Sequence, residues 1–227
     1  MTTKTTSMKH ALSFAALALL AGGVQAQSAG DITVSIGATS IRPQVVSSDL
    51  TRPSLPGTQL SVGPATQVSA GINYQLTDSI AFDLPISRAY THDVLGAGAI
   101  ENVGKIGEVK ALPVTMLVQW RILGAGSKVR PFVGVGPTYA RIGESTANAA
   151  LSGITGGSPA KPTTLSLKSA WGVTFQVGAS VAISGPWSVE ASYLKSFISS
   201  SGKLSTGQTI DLKLNPDVVS ASIAYRF

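Results

Sequence analysis

Five ionisable side chains, Asp83, Arg121, Arg130, Glu190 and Arg226, each fall within a few residues of a short polar turn, in segments otherwise built of apolar and small residues. Carboxylates and guanidiniums so placed suit ion pairing, because a buried charge persists only where an opposite charge or a hydrogen bond meets it. We expect them to form a carboxylate–guanidinium network that seals one end of the molecule. Groups for catalysis are scarce. Beyond the first 26 residues the single histidine is His92, beside Asp93 in what reads as a loop, where such a residue is ordinarily just solvated. That gives weak footing to a serine, histidine and acid site. With one histidine and no cysteine a metal centre has less still, and no cofactor is expected.

The elements that must hold these residues are strands. In Ala111–Ile122 the even positions are apolar while the odd ones from Thr115 onward read Thr, Leu, Gln, Arg, a period of two. Leu123–Lys128 supplies glycines for a turn, and Val129–Tyr139 returns as the partner. The same plan recurs in Asp31–Ile41, Thr66–Leu76, Ile80–Tyr90, Thr164–Ile183, Trp187–Phe197 and Asp217–Phe227. Short turns alternate with long connections over Gln44–Ala65, Thr91–Lys110, Gly143–Thr163 and Ser199–Pro216, which show no clean period and are expected to be exposed loops. Eight strands so connected describe an all-β, antiparallel, up-and-down transmembrane barrel with four long extracellular loops and both ends periplasmic.

Composition agrees. The chain of 227 residues is 44% hydrophobic and 12% charged, yet no apolar run is long enough to cross a bilayer as a helix. Lys4, Lys9 and His10 precede the apolar stretch Ala11–Val24, which stops at Val24-Gln25-Ala26. This pattern predicts a secretory signal over residues 1–26, removed after Ala26, and a single barrel domain over 27–227. Removing Lys4 and Lys9 takes the formal charge from +6 to +4, with the rest scattered, so nucleic-acid binding has no support. The absence of cysteine rules out a disulfide scaffold.

The aromatic residues on the apolar face sort by height. Tyr74, Phe82, Trp120, Trp187, Tyr225 and Phe227 lie toward the short turns, and Tyr90, Tyr139, Trp171 and Phe197 toward the long loops. Two belts fit lipid-facing girdles, since only a closed sheet crosses a bilayer as strands. A secreted soluble barrel of lipocalin type, apolar face inward, is the alternative. In the transmembrane reading the charged residues face a lumen that becomes weakly polar to apolar above them, where Leu117, Phe132, Leu194 and Val218 would line a path for a small hydrophobic solute. Eight strands leave room for side chains or one small ligand, not a broad aqueous pore. Gly134, Gly136, Gly172 and Gly178 either leave space inside or relieve curvature. Pro85, Pro113, Pro131 and Pro137 remove ladder donors and mark either bulges or a gap through which a solute leaves sideways into lipid.

Several blocks resemble a known family. Leu112-Pro113-Val114-Thr115 through Gln119-Trp120, then Lys128-Val129-Arg130-Pro131-Phe132-Val133-Gly134-Val135-Gly136, is similar to "LPPT…QW" and "KVRPYVGAG" of the OmpW family of small outer-membrane barrels, to which AlkL is related. Leu165–Lys168 with Trp171-Gly172 resembles "LSLKDSWG", and Leu214-Asn215-Pro216 with Tyr225-Arg226-Phe227 resembles "LDP…GYRF". The resemblance implies a Gram-negative outer-membrane barrel, partnered by outer-membrane lipid, whose apolar lumen passes small hydrophobic solutes toward the membrane. It also implies assembly by the outer-membrane insertion machinery, which reads Tyr225 to Phe227. Ala89-Tyr90-Thr91-His92 departs from the family's usual Pro-Phe pair before a histidine, and Val114 stands where a second proline is usual. A rival reading is a filled structural or interaction barrel that works through its loops.

Overall fold

The computed structural model describes residues 28–147, 152–153, 155–158 and 161–227, so the expected signal over 1–26 lies outside the described residues. Among these, strands β1 (Ile32–Arg42), β2 (Val46–Ser47), β3 (Thr58–Val62), β4 (Ala65–Gln75), β5 (Ile80–Ser87), β6 (Tyr90–Gly98), β7 (Lys105–Thr115) and β8 (Leu117–Arg121) form the first half. The second half holds β9 (Val129–Ile142), β10 (Glu144–Ala147), β11 (Thr164–Leu167), β12 (Ala170–Ser184), β13 (Trp187–Leu204), β14 (Thr209–Lys213) and β15 (Asp217–Arg226).

Sequential antiparallel pairing runs β1–β4–β5–β8–β9–β12–β13–β15, and β15 pairs back with β1 from Thr33↔Arg226 to Arg42↔Asp217. This closes an eight-stranded barrel, the condition for strands in hydrocarbon. The alternation read from the sequence sets which face is which. Ile36 is 63% exposed and Val68 70%, while the inward neighbours Thr39, Asn73 and Gln119 are buried. A continuous outer surface of Val, Ile, Phe and Trp far exceeds what a soluble monomer leaves wet, so the lipocalin alternative falls. The lower girdle is packed as well as placed: Trp187 meets Tyr225 edge-on at 4.8 Å, and Tyr225 meets Phe227 at 4.8 Å.

The connections expected as plain exposed loops carry strands instead. β3, β6, β7, β10, β11, β13, β14 and β2 extend the wall above the membrane through successive pairings. The first connection closes it, with Leu60 N–H donating to Ser47 Oγ at 3.2 Å and Leu50 N–H to Thr58 O at 2.8 Å. Inside this extension the side chains of Leu50, Leu60, Ile106, Leu165, Leu204 and Ile210 form a buried core. Burying them holds strands of only four or five residues that could not stand alone.

Two breaks overturn the expected facing of particular residues. Tyr90, placed in the upper girdle by counting along Ile80–Tyr90, is 2% exposed and faces inward. Leu167, counted onto the same face as Trp171, is buried while Trp171 is 71% exposed. In both places one residue more than the alternation allows is inserted, at Arg88–Ala89 and Lys168–Ser169, and it flips every side chain beyond it.

Candidate functional site: the lumen and its side wall

At the short-turn end the inward residues form a connected polar floor. Asn73 Nδ2 donates to Gln119 Oε1 at 3.0 Å, Gln119 Nε2 to Gln176 Oε1 at 2.8 Å, and Gln176 Nε2 to Asp83 Oδ2 at 3.3 Å. Arg121, 1% exposed, donates to Gln119 Oε1 at 3.3 Å, stands 3.7 Å from Glu190 Oε1, and lies over the Phe132 ring at 5.3 Å. Arg226 pairs with Asp31 at 3.6 Å. Arg130 donates to backbone oxygens, to Asp78 O at 2.6 Å and Leu123 O at 3.4 Å, tying itself to the turns. The five charged residues named from the sequence therefore all cluster at this end, but the amides Asn73, Gln119 and Gln176 link them as much as charge does. Those amides and Asp31 were not singled out in the sequence. Their signal was present as polar residues on the inward parity close to turns.

Above the floor, hydroxyls bond to one another along the wall. Thr115, Thr138, Thr174 and Ser196 form one arc and Ser69, Thr39 and Ser220 another, with distances of 2.8 Å for Thr115–Thr138 and 2.7 Å for Thr39–Ser69. Hydroxyls that satisfy each other offer little to a solute, so a wall of Ser and Thr behaves as a nearly apolar one. A cavity of about 180 Å³ lies here, near the size at which a dry protein cavity takes up benzene. Phe132, Leu194 and Val218 line it, with Asp83 and Glu190 at its floor and His92 near its top. Leu117, expected beside them, is fully buried in the wall and does not line it.

His92 is no solvated loop residue. It is 3% exposed, its Nδ1 lies 2.8 Å from Gly63 O, and its ring stacks on Tyr90 at 6.2 Å, while Asp93 turns outward to Lys105 at 2.7 Å. Burial holds its pKa below the usual histidine value. Pointing in opposite directions, His92 and Asp93 cannot work as a pair.

The glycines resolve toward packing. A Cβ on Gly178 would sit 2.5 Å from Phe132 Cζ, and one on Gly136 only 1.9 Å from Met116 O. Neither glycine lines the cavity, so both admit a neighbour and neither opens space.

The prolines mark a gap. The β5–β8 ladder ends at Asp83↔Leu117 and the β6–β7 ladder begins at Tyr90↔Ala111. Between them, among the described residues, no backbone hydrogen bond joins Leu84–Ala89 to Leu112–Met116, whose Pro85 and Pro113 lack a donor. Pro85, Ile86 and Pro113 of this stretch line the cavity, so the cavity lies directly behind the unladdered part of the wall.

A closed eight-stranded sheet, apolar outward with two aromatic girdles and a connected polar floor, is an outer-membrane β-barrel. Residues 28–227 match the OmpW family, and the chain belongs to that family. It is 34% identical to outer membrane protein W of Escherichia coli K12, over 95% of this chain and 99% of that protein, and 28% identical to outer membrane protein W of Vibrio cholerae, over 92% and 94%. The fold is similar to the crystal structure of OprG from Pseudomonas aeruginosa, with a TM-score of 0.80, 22% identity, and coverage of 90% of this chain and 99% of that one. It is also similar to AlkL in lipid bilayers, with a TM-score of 0.64, 20% identity, and coverage of 89% and 92%. The protein is thus an outer-membrane protein of a Gram-negative bacterium, set in outer-membrane lipid.

Proposed function

We propose that the barrel passes small hydrophobic molecules from its lumen sideways into the membrane. The observation that carries this reading is the cavity itself: it is walled by Phe132, Leu194, Val218 and self-satisfied hydroxyls, and it lies behind the unladdered stretch of wall that holds Pro85 and Pro113. An apolar solute there faces charge below and hydrocarbon to the side, so transfer through the gap costs it least. In this reading Asp83, Arg121, Arg130, Glu190 and Arg226 close the periplasmic end. Reconstituted in liposomes, Leu194→Gln combined with Val218→Gln should slow uptake of a small hydrophobic dye several-fold. Unchanged flux through the correctly folded variant would sink the proposal.

A second reading, an interaction barrel acting through its extracellular surface, draws on the packed core around Leu60, Ile106 and Leu165, which caps the lumen. It predicts that the same variant leaves uptake untouched while truncation of the extension abolishes partner capture. We further propose that residues 1–26 are the export signal, which N-terminal sequencing of the mature protein would test. The C-terminal Tyr225 to Phe227, with Phe227 74% exposed, would be the segment presented to the insertion machinery.

A further inference from the structure

Outward-facing charge is distributed unevenly between the two ends of the barrel. At the short-turn end Arg121, Arg130 and Arg226 are turned inward to the floor. At the long-loop end Arg42, Arg88, Lys110, Arg141, Lys168 and Lys213 are all exposed on the outer face. They belong to different strands or strand ends, so they encircle the barrel. Among the described residues none of them forms a salt bridge. The outward carboxylate of Asp217, at the same level, is already taken up by Lys195 at 2.8 Å and the Tyr193 hydroxyl at 2.6 Å. What remains is a net positive collar.

The strand register fixes its height. Along β13 the outward residues rise from Phe197, opposite Val173, to Ser199, opposite Lys213, and Ser201, opposite Asp211. The collar thus begins one step above the aromatic girdle of Trp171 and Phe197, where lipid headgroups replace acyl chains. Here the bend at Lys168–Ser169 leaves a groove of about 630 Å³, lined by Lys168, Lys213 and the serines Ser48, Ser199 and Ser201, with Asp211 as its carboxylate. The bend is held in place: Lys168 N–H donates to Ser201 O at 2.9 Å, and Ser200 Oγ donates to Lys168 O at 2.6 Å. Two lysines on an ordered backbone, with hydroxyl donors between them, match the charge and hydrogen-bonding needs of a phosphate monoester.

We propose that this groove, and the collar it belongs to, binds a phosphorylated glycolipid of the outer leaflet, its phosphate between Lys168 and Lys213 and its acyl chains along Trp171, Val173 and Phe197. Juxtamembrane lysines are worth about fivefold each in affinity for an anionic headgroup, so losing both costs roughly 30-fold.

The test is equilibrium binding of bis-phosphorylated lipid A to the full mature chain in zwitterionic micelles, read by native mass spectrometry. Wild type should bind it at least tenfold more tightly than the same lipid with its phosphates removed. K168Q/K213Q should lose roughly 30-fold, and K168R/K213R should keep most of the affinity. Should the double glutamine variant not fold, K213Q alone, at an exposed position, carries the same test with about a fivefold loss. Equal binding of the phosphate-free lipid, or unaltered binding by the folded glutamine variant, overturns the proposal. So does complete displacement of the lipid by millimolar inorganic phosphate, which would make this a free-anion site.

Discussion

Removing Arg121 tests the polar floor most sharply. Its guanidinium is 1% exposed and 3.7 Å from Glu190 Oε1, and that oxygen accepts no hydrogen bond. Between those two atoms the attraction is one of charge without a hydrogen bond. At an effective dielectric constant near 20, two unit charges at that separation attract by about 4–5 kcal/mol, before the cost of taking them out of water is subtracted. Glu190 lines the cavity and its side chain is 17% exposed, so solvent relieves part of the loss when its partner goes. We expect Arg121→Met to destabilise the barrel by about 3 kcal/mol, at the low end for a broken buried pair. Glu190→Gln should cost less, about 1–2 kcal/mol, because Arg121 keeps its contacts with Gln119 and Phe132. The double variant should recover about 2 kcal/mol of the summed loss. The assay is reversible urea unfolding of the protein in phospholipid vesicles, extrapolated to zero denaturant for all members of the cycle. A coupling energy under about 0.5 kcal/mol would mean the two charges do not sense each other, and the floor would be a set of separate hydrogen bonds.

Two further outcomes follow from the described geometry. His92 sits above the girdle with its pKa held low by burial, so the opened extension binds more protons than the closed one once pH falls below the ordinary histidine value near 6.5. Stability of the extension is therefore full above about pH 6.5 and falls as pH drops toward the depressed value, so amide protection factors in β3 and β6, with the intrinsic pH dependence of exchange divided out, should fall on acidification, a response absent in His92→Phe. Gly178→Ala places a methyl 2.5 Å from the Phe132 ring and 2.6 Å from Ala191 O, and should destabilise by about 1–3 kcal/mol in the same urea assay, with Phe132→Leu relieving part of the loss.

The sequence carried the membrane strands because each is long, continuous and half-exposed to lipid. A period of two over ten residues is hard to imitate, and inward charges near turns pointed to the floor. It did not carry the extension. Strands such as Thr58–Val62 and Thr164–Leu167 are too short for a period to emerge among glycines and prolines, and their stability comes from contacts between connections far apart in the chain. Parity counting also assumes an unbroken strand. The inserted residue at Arg88–Ala89 turned Tyr90 from girdle to lumen, and that at Lys168–Ser169 separated Leu167 from Trp171. Leu117 has the right parity but the wrong depth, since parity says which face a side chain takes and nothing about what stands in front of it.

The same break that misled the count around Tyr90 shapes the side wall. An inserted residue between two ladders leaves seven steps on one strand, from Asp83 to Tyr90, against six on the other, from Leu117 to Ala111, and the mismatch must be absorbed somewhere. Pro85 and Pro113 lie in the absorbing stretch, where a missing donor costs least because no register exists for it to complete. The hydroxyl arcs end on either side of it, at Ser69 on β4 and Thr115 on β7. In hydrocarbon, unladdered carbonyls would be expensive, yet here they border a cavity rather than lipid alone, the one setting in which irregular backbone is tolerated at membrane depth. The bulge, the prolines and the cavity thus depend on one another: refill the ladder and the cavity loses its unladdered wall, fill the cavity and the broken ladder loses its shelter.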